Sequence, residues 1–326
     1  MTATTNSLPP GSPPTDTGLE AAGTRQEAAG VATTGEGHRA RSRGGVLYAA
    51  IAMSLVGGLV AVSGTLEDAP LFTVQTVRYV LATGAILLAL RVTGRAVPRP
   101  RGREWAWLAG VALSGLVLFN VAIVRGVEHA EPAVIGVAVA AVPVLLAFAG
   151  PLLSGMRPAP VVMAGAVVVT VGAVLVTGGG RTDAAGVGYA LLTLACEAGF
   201  TLLAVPVLRS LGPHGVSLHT MWIAAAGFAA LGLATEGPAA VLLLRPDHLL
   251  ATAYLGLLVT VAGFLLWYTA VGRIGPGRAG LFTGVVPVAS AVGGVLLGGP
   301  VPGPVVWLGI AVVATGVGIG MRAERT

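Results

Sequence analysis

A single carboxylate stands inside a long apolar run. Glu197 lies near the middle of residues 186–208, with Thr193 one helical turn before it and Thr201 one turn after it. Residues four apart share a face of a helix, so these three side chains would form a polar stripe. A carboxylate in hydrocarbon is costly unless it is protonated, paired or wetted. The available chemistry is proton coupling or recognition of a cation; an acid hydrogen-bonded permanently within a helix bundle is the competing explanation.

Arg78 is the second charged group placed inside an apolar run. It shares a helix face with Gln75, Tyr79 and Ala82. It could hold an anionic group of a ligand or pair with Glu197. The alternative, which we favour, is an arginine that snorkels, or that locks its helix to its neighbours through backbone carbonyls.

Asn120 lies about one turn from the end of its apolar run. Its amide could bind a polar group of a ligand or hydrogen-bond across helices. Trp222 lies deeper in another run, one turn after His219, and is a candidate for stacking on a ligand. Six other aromatic residues lie near the ends of apolar runs, where a belt at the membrane interface is the expected role. They are Tyr48, Trp105, Trp107, Trp267, Tyr268 and Trp307.

Pro143 and Pro287 stand inside apolar runs at matched positions of a repeat described below. Each proline ring leaves the carbonyl four residues back without its usual donor. Thr283 and Ser290 flank Pro287, and carbonyls exposed there could line a cavity. A kink needed only for packing explains either proline alone, whereas the matched pair suggests a hinge.

Composition excludes several classes of protein. The chain of 326 residues is 55% hydrophobic and 10% charged, so water is not its main solvent. Its cations are 19 arginines, which lie between apolar runs rather than in a nucleic-acid-binding stripe. Cys196 is the only cysteine, and Gly178 to Gly180 lack the ending of a phosphate loop. We therefore expect no cofactor, no metal site and no catalytic residue.

Runs of roughly 20 apolar residues are long enough to cross a bilayer as helices. We place ten, numbered spans 1 to 10. They cover residues 45–64, 70–91, 104–124, 132–153, 158–177, 186–208, 216–235, 248–271, 277–298 and 302–321. Starting inside the cell, the alternation puts 15 arginines on the cytoplasmic side and only Arg125, Arg181 and Arg245 outside. This bias predicts that both termini are cytoplasmic. For span 9, a re-entrant arrangement of residues 285–301 stays open.

The chain contains a duplication. Residues 136–172 recur without a gap as residues 280–316, 144 positions later, with 17 of 37 positions identical. The matches include five glycines and three prolines, which constrain backbone geometry. Ten spans divide into five per copy, an odd number, so the two copies must lie in opposite orientations. The predicted fold is an all-α integral membrane protein of ten transmembrane helices in two inverted five-helix repeats.

Composition also predicts the domain limits. Residues 1–43 are rich in small and polar residues and are expected to be a disordered cytoplasmic tail. The tail lacks the short apolar core and cleavage site of a signal peptide. Residues 44–178 and 185–321 are the two repeats, and residues 322–326 form a cytoplasmic C-terminus.

A scattered set of residues carries a likeness to a known family. These residues are Pro70, Arg78, Tyr79, Ala82, Gly110, Gly115, Asn120, Ala133, Gly136, Pro143, Val144, Gly165 and Gly172, with Gly280, Pro287, Val288, Gly309 and Gly316 in the second copy. In this pattern the chain resembles the EamA-type branch of the drug/metabolite transporter superfamily, over about residues 45 to 321. The resemblance implies a ten-helix basket around a central cavity and transport, usually export, of small metabolites or amphiphilic compounds.

The expected function is a secondary transporter, an exporter of a small organic metabolite, amino acid or drug-like compound. Its two halves would rock around a midplane cavity lined by spans 3, 4, 6, 8 and 9. Its partners would be the lipid bilayer, a small-molecule substrate and a proton or other coupling ion, and its location the cell (inner) membrane. The alternatives are an integral-membrane enzyme, for which only His129 with Glu128 and Glu131 offers a cluster, and a non-transporting scaffold. We interpret that cluster as solvated charges in an outer loop.

Overall fold

The computed structural model describes residues 42–58, 66, 68–96, 99–126, 128–153, 155–296 and 301–322. Most of the expected tail lies outside these residues. The described part is helical; its one β-type contact is an isolated bridge between Ala130 and Thr182. This agrees with the all-α fold expected from the apolar runs.

The helices of the first repeat follow the predicted spans. Span 1 is the helix Ser42–Gly57, span 2 is Leu71–Val92, and span 3 is Glu104–Gly126 with a π-helical segment at Leu113–Leu118. Span 4 is divided into Pro132–Ala140 and Val142–Leu153, and span 5 is Pro160–Thr177.

The second repeat has more breaks. Span 6 is Ala184–Leu202, and the helix Val205–Thr235 contains span 7. Span 8 consists of Pro246–Tyr254, a π-helical segment Leu255–Ala262 and the start of Gly263–Gly280. Span 9 continues through a 3-10 turn, Leu281–Gly284, into Val285–Leu296, and span 10 is Pro304–Met321.

Two glycines with positive φ mark where continuous helices break. Gly212 has φ of 65° and precedes Pro213; Gly275 has φ of 79° and precedes Pro276. A side chain on Cβ disfavours this conformation, and proline cannot continue the backbone hydrogen bonds, so the pair ends one helix and starts the next. The predicted boundaries between spans 6 and 7 and between spans 8 and 9 lie at or near these breaks.

Within the described residues, eight helical segments are long and apolar enough to cross a membrane. One of them, Pro246–Gly293, has 48 residues, and Ser42–Gly57 is a shorter apolar helix. The length of the first is sufficient for two crossings at roughly 20 residues each. The count of ten spans therefore stays a prediction.

Spans 5 and 10, which are equivalent in the duplication, pack against each other through glycine. A Cβ on Gly165 would meet the backbone of Gly316 and Gly320, and a Cβ on Gly172 would meet the backbone of Gly309 and Val313. As residue numbers rise along span 5 the partners fall along span 10, so the two helices are antiparallel. The four duplicated glycines lie at this crossing because only glycine lets the backbones approach so closely.

The remaining apolar surface separates into an inner and an outer part. Buried side chains from spans 2, 3, 4, 7 and 8 form one core that includes Phe228, Leu146 and Leu108. Large apolar side chains such as Leu88 and Leu250 are exposed on the outside of the helices. In a membrane this outer surface contacts acyl chains, so its exposure carries no penalty.

Candidate functional site

Glu197 projects from the helix Ala184–Leu202 and is half-buried. The threonines on either side of it are fully enclosed, with 0% of Thr193 and 2% of Thr201 exposed. Within the described residues Glu197 makes no hydrogen bond or ion pair. The structure thus brings the predicted polar stripe to the inside of the helix bundle and leaves its carboxylate available.

The two threonines have different partners. The Thr193 hydroxyl donates to the Tyr189 carbonyl at 2.8 Å, a bond within its own helix. The Thr201 hydroxyl accepts a hydrogen bond from the Trp267 indole nitrogen at 3.0 Å. Thr201 therefore joins span 6 to span 8, whereas Thr193 contributes only local polarity.

Trp267 and Tyr268 are not part of an interfacial belt, and that expectation was wrong for both. Trp267 is 3% exposed and Tyr268 is 0% exposed. The Tyr268 ring lies 5.2 Å from Phe200 and 6.3 Å from Phe264. Their position near a predicted span end suggested the belt, but both side chains pack against residues of span 6, Trp267 on Thr201 and Tyr268 on Phe200.

Arg78 is enclosed at 9% exposure and is the centre of a hydrogen-bonded chain. Its Nε donates to the Thr260 hydroxyl at 2.7 Å, and its Nη1 lies 3.4 Å from the Gln75 side-chain oxygen. Gln75 then donates to the Asn120 side-chain oxygen at 2.7 Å. Four polar side chains from spans 2, 3 and 8 thereby form one connected group.

Both ends of this chain are backbone carbonyls. Asn120 donates to the Leu116 carbonyl at 2.7 Å, and the Thr260 hydroxyl donates to the Leu255 carbonyl at 2.9 Å. Arg78 itself bonds to side chains and not to the backbone carbonyls named in the preferred interpretation, so its role stays a prediction. Asn120 hydrogen-bonds across helices, as one of its two expected roles requires.

Arg78 and Glu197 do not form an ion pair here. The guanidinium carbon of Arg78 lies 5.4 Å from the centre of the Tyr79 ring, within range of a cation–π contact. Tyr79 is itself buried, at 2% exposure.

Both predicted hinge prolines lie just after an irregular stretch of helix. Ala141 interrupts span 4 two residues before Pro143, and the 3-10 turn Leu281–Gly284 ends three residues before Pro287. At the repeat spacing of 144, Ala141 corresponds to Val285, the residue directly after the 3-10 turn, so the two interruptions lie next to each other in the repeat. The interruptions are observed; the use of the prolines as hinges stays a prediction.

Thr283 and Ser290 make backbone contacts around the second kink. Thr283 donates to the Gly280 carbonyl at 2.8 Å, and Ser290 donates to the Gly57 carbonyl at 3.0 Å. Ser290 thus joins span 9 to span 1, at a point where a Cβ on Gly57 would lie 2.5 Å from Ala289. Neither residue contacts the group around Arg78 in the hydrogen bonds observed.

Trp222 lies apart from the interior residues. It is 41% exposed, its indole donates to His219 at 3.2 Å, and its ring meets Trp105 edge-on at 6.0 Å. Trp105 begins the membrane part of span 3. This outward aromatic cluster fits an interfacial belt better than a ligand pathway.

A groove of about 680 Å³ lies between spans 3, 4 and 6, three of the five spans expected to line a cavity. It is lined by Ser114, Leu118, Leu152, Cys196, Gly199 and Leu202, with further apolar neighbours. None of the predicted site residues contributes to its lining.

An ionic junction joins the two repeats at their predicted outer ends. Asp68, which follows span 1, pairs with Arg245 and, at 3.2 Å, with His248, both at the start of span 8. Arg245, foremost, and then His248 lower the pKa of Asp68 to about 2. Nearby, Glu236 accepts from the backbone N–H groups of Phe72 and Thr73 at 2.8 Å each, which caps the start of span 2.

The loop cluster considered for an enzyme is a set of separate ion pairs. His129 meets Asp183 at 3.0 Å, Arg181 meets Glu131 at 3.0 Å, and Arg125 meets Glu128 at 3.4 Å. The Gly186 N–H, and secondarily His129, hold the pKa of Asp183 below its usual value. Each acid has its own cationic partner, as expected of charges in a solvated loop.

Sequence reasoning missed Thr260, the partner of Arg78 in the other repeat, and the inner position of Tyr268. A polar residue within an apolar run was a usable signal for Thr260. For Tyr268 no signal was available, because an aromatic residue near a span end fits both a belt and a core.

Comparisons with known proteins agree with this architecture. The profile of the EamA-like transporter family matches residues 43–178 and again residues 184–321. The chain is 27% identical over 293 residues to the uncharacterized transporter YetK of Bacillus subtilis (strain 168), covering 85% of this chain and 86% of YetK. A solved structure described only as "Crystal structure of protein" superposes with a TM-score of 0.74 at 20% identity, covering 86% of this chain and 99% of that one, and so shares the fold.

The resemblance noted from scattered motifs is thus confirmed by two successive profile matches over most of the chain. The helices are long and apolar enough to lie in a bilayer. The chain belongs to the EamA-like transporter family and is a multi-pass membrane transporter.

Proposed function

We propose that the protein is a secondary carrier in the cell (inner) membrane that exports a small organic metabolite, an amino acid or a drug-like compound. Ten spans with both termini in the cytoplasm would form two inverted halves. Rocking of these halves would open the interior alternately to each side. Export is the direction that the family resemblance implies.

The antiparallel crossing of spans 5 and 10 supports the inverted arrangement. These helices are equivalent in the duplication and run in opposite directions at their contact. Equivalent helices in halves of the same orientation would run parallel. Opposite orientation gives the two halves equivalent roles on the two sides of the membrane, which alternating access requires.

The observation that carries the proposal is the carboxylate of Glu197. It is half-buried on the inner face of a membrane helix and has no hydrogen-bond partner among the described residues. An ionisable group in this setting is functional by default, because an idle charge there would cost free energy. We assign it the binding of a proton or of a cationic group, with Thr193 and Thr201 as polar neighbours.

The test compares metabolites in medium and cytosol among four strains: a deletion strain and strains producing the native protein, Glu197→Gln or Cys196→Ala at equal membrane levels. The native protein should raise one or a few compounds in the medium. Glu197→Gln should reduce this accumulation by roughly tenfold or more, because a neutral amide can neither exchange a proton nor balance a cation. Cys196→Ala, at the adjacent position, should retain it.

Two results would count against the proposal. Glu197→Gln accumulation equal to that of the native protein would remove the role of the carboxylate. Identical metabolite profiles in the deletion and overproducing strains would argue against export of a metabolite.

A further inference from the structure

Two π-helical segments occupy equivalent positions in the two repeats. The first is Leu113–Leu118 in span 3 and the second is Leu255–Ala262 in span 8. Adding the repeat spacing of 144 to the first gives residues 257–262, which lie within the second. Their sequences share little, so the common geometry belongs to the architecture. π turns are rare in proteins as a whole, and those that do occur are often found at functional sites.

The hydrogen-bonded chain around Arg78 ends on these two segments. On one side it reaches the carbonyl of Leu116 through Gln75 and Asn120; on the other it reaches the carbonyl of Leu255 through Thr260. A π turn displaces carbonyls from the ordinary pattern of backbone bonds. Both ends of the chain therefore supply donors to carbonyls of widened turns, one in each repeat.

Arg78 is suited to the centre of such a chain. Its planar guanidinium only donates, so it can direct hydrogen bonds toward both repeats at once. Among the described residues, no carboxylate lies within ion-pair distance of it. Its charge is therefore balanced by the oriented side chains of Gln75 and Thr260 and by the ring of Tyr79.

The connection exists once rather than twice. At the repeat spacing of 144, Trp222 stands at the position of Arg78; aligning Pro70 with Pro213 instead places Met221 there. Neither side chain has the several donors of a guanidinium. In either register the second repeat lacks the bridge that the first provides.

We propose that Arg78 is a positioning residue that holds the π-helical segments of spans 3 and 8 together, through Gln75, Asn120 and Thr260, and thereby sets the balance between the two access states. This inference rests on the proposed carrier function. Spans 3 and 8 lie in opposite halves, so rocking must strain or rearrange the chain that connects them. Removing the side chain of any residue in this hydrogen-bonded chain should change the ratio of the two access states by a similar amount.

The test measures distances between spin labels in the full-length protein in lipid nanodiscs, on a Cys196→Ala background. One label pair at Glu128 and Leu242 reports the predicted outer side, and a second pair at Arg95 and Arg209 reports the inner side. The variants are Arg78→Met, Arg78→Lys and Thr260→Val. Thr170→Val is the matched control, because the Thr170 hydroxyl is buried without a hydrogen-bond partner.

Thr260→Val and Arg78→Met should each change the ratio of the two distance populations about fivefold, the effect of losing one typical hydrogen bond. The double variant should shift the ratio no further than Arg78→Met alone, because both changes break the same chain. Arg78→Lys should resemble Arg78→Met, since the lysine ammonium keeps the positive charge but lacks the planar, forked N–H donors of the guanidinium. Thr170→Val should leave the ratio unchanged.

Additive shifts in the double variant, full rescue by Arg78→Lys, or an equal shift in Thr170→Val would overturn the inference. So would unchanged distances in an Arg78→Met protein that has lost transport, since that result would place Arg78 on the substrate. If Arg78→Met does not fold, the comparison of Thr260→Val with Thr170→Val tests the inference alone, because the two substitutions are chemically identical. Only Thr260→Val should then change the ratio of the distance populations. A protein that shows these shifts yet exports nothing would refute the proposed function and leave the bridge standing.

Discussion

Arg78 and Glu197 face the same physical problem and resolve it differently. A charge inside a membrane must be hydrated, paired or hydrogen-bonded. Arg78 is enclosed by oriented polar side chains, whereas Glu197 is half-buried and has no hydrogen-bond partner in the described part of the chain. We therefore attribute a structural task to the arginine and the exchange of a proton or ligand to the carboxylate.

Asp68 provides a prediction for a single charged contact between the repeats. Asp68→Asn should lower the melting temperature at pH 7 by roughly 1–3 °C, because exposed ion pairs are weak. Asp247→Asn is the control, since Asp247 pairs with Arg245 only two residues away. Its effect should be smaller, because that pair does not join the halves.

The pH dependence of this difference follows from the lowered pKa of Asp68. A carboxyl whose pKa is lower in the folded protein stabilises the fold above its ordinary pKa of 3.8 and loses that contribution as the pH falls to about 2. The stabilisation of the native protein relative to Asp68→Asn should therefore decrease as the pH falls from 3.8 towards 2. A difference that grew below pH 4 would contradict the assignment.

At the scale of single elements, the duplication reproduces backbone irregularities as well as sequence. Spans 4 and 9 are both interrupted shortly before a matched proline, and spans 3 and 8 both contain a π-helical segment. Proline weakens the turn before it by removing a donor and crowding the carbonyl four residues back. Equivalent helix interruptions in the two halves would allow both halves to bend in the same way during alternating access.

The hinge proposal predicts that both prolines matter together. Pro143→Ala with Pro287→Ala should reduce export by roughly tenfold while raising thermal stability, because regular helix replaces two flexible turns and gating motions slow. Pro151→Ala is the control, since Pro151 lies in the same helix but has Val295 as its counterpart. Export by the double variant at the native rate would discard the hinge.

At the scale of the whole molecule, the crossing of spans 5 and 10 is a close backbone contact between the halves. Glycines lie on both sides of it, and each of them approaches backbone atoms of the opposite helix as well as side chains. Backbone cannot move aside as a flexible side chain can. The crossing should therefore tolerate no added carbon atom, in contrast to glycines elsewhere in the same helix.

Gly316 and Gly318 test this in a matched pair. A Cβ at Gly316 would lie 2.6 Å from the Val169 nitrogen, whereas a Cβ at Gly318 would meet nothing within 4 Å. Gly316→Ala should cost about 1–3 kcal/mol and lower the melting temperature in detergent. Gly318→Ala should be neutral or slightly stabilising, since alanine favours helix. Equal melting temperatures for the two variants would contradict the close crossing.

Much of this protein could be inferred from the amino-acid sequence. The membrane class follows from long apolar runs, the two copies from recurring glycines and prolines, and the family from the pattern those residues make. Each of these signals recurs along the chain itself, so it can be recognised without knowing which residues are in contact in the fold. The inward position of Glu197 was also predictable, because a carboxylate on the lipid side would be too costly.

Only the tertiary structure decided which side chains meet. Thr260 became the partner of Arg78, Gln75 became a link to Asn120, and Tyr268 moved from an expected belt into the core. Apart from the polar stripe around Glu197, these membrane helices are apolar on most faces, so the sequence alone does not specify how each helix is rotated. That rotation is set by packing against neighbouring helices, and it determines whether a polar residue faces lipid, a partner or the interior.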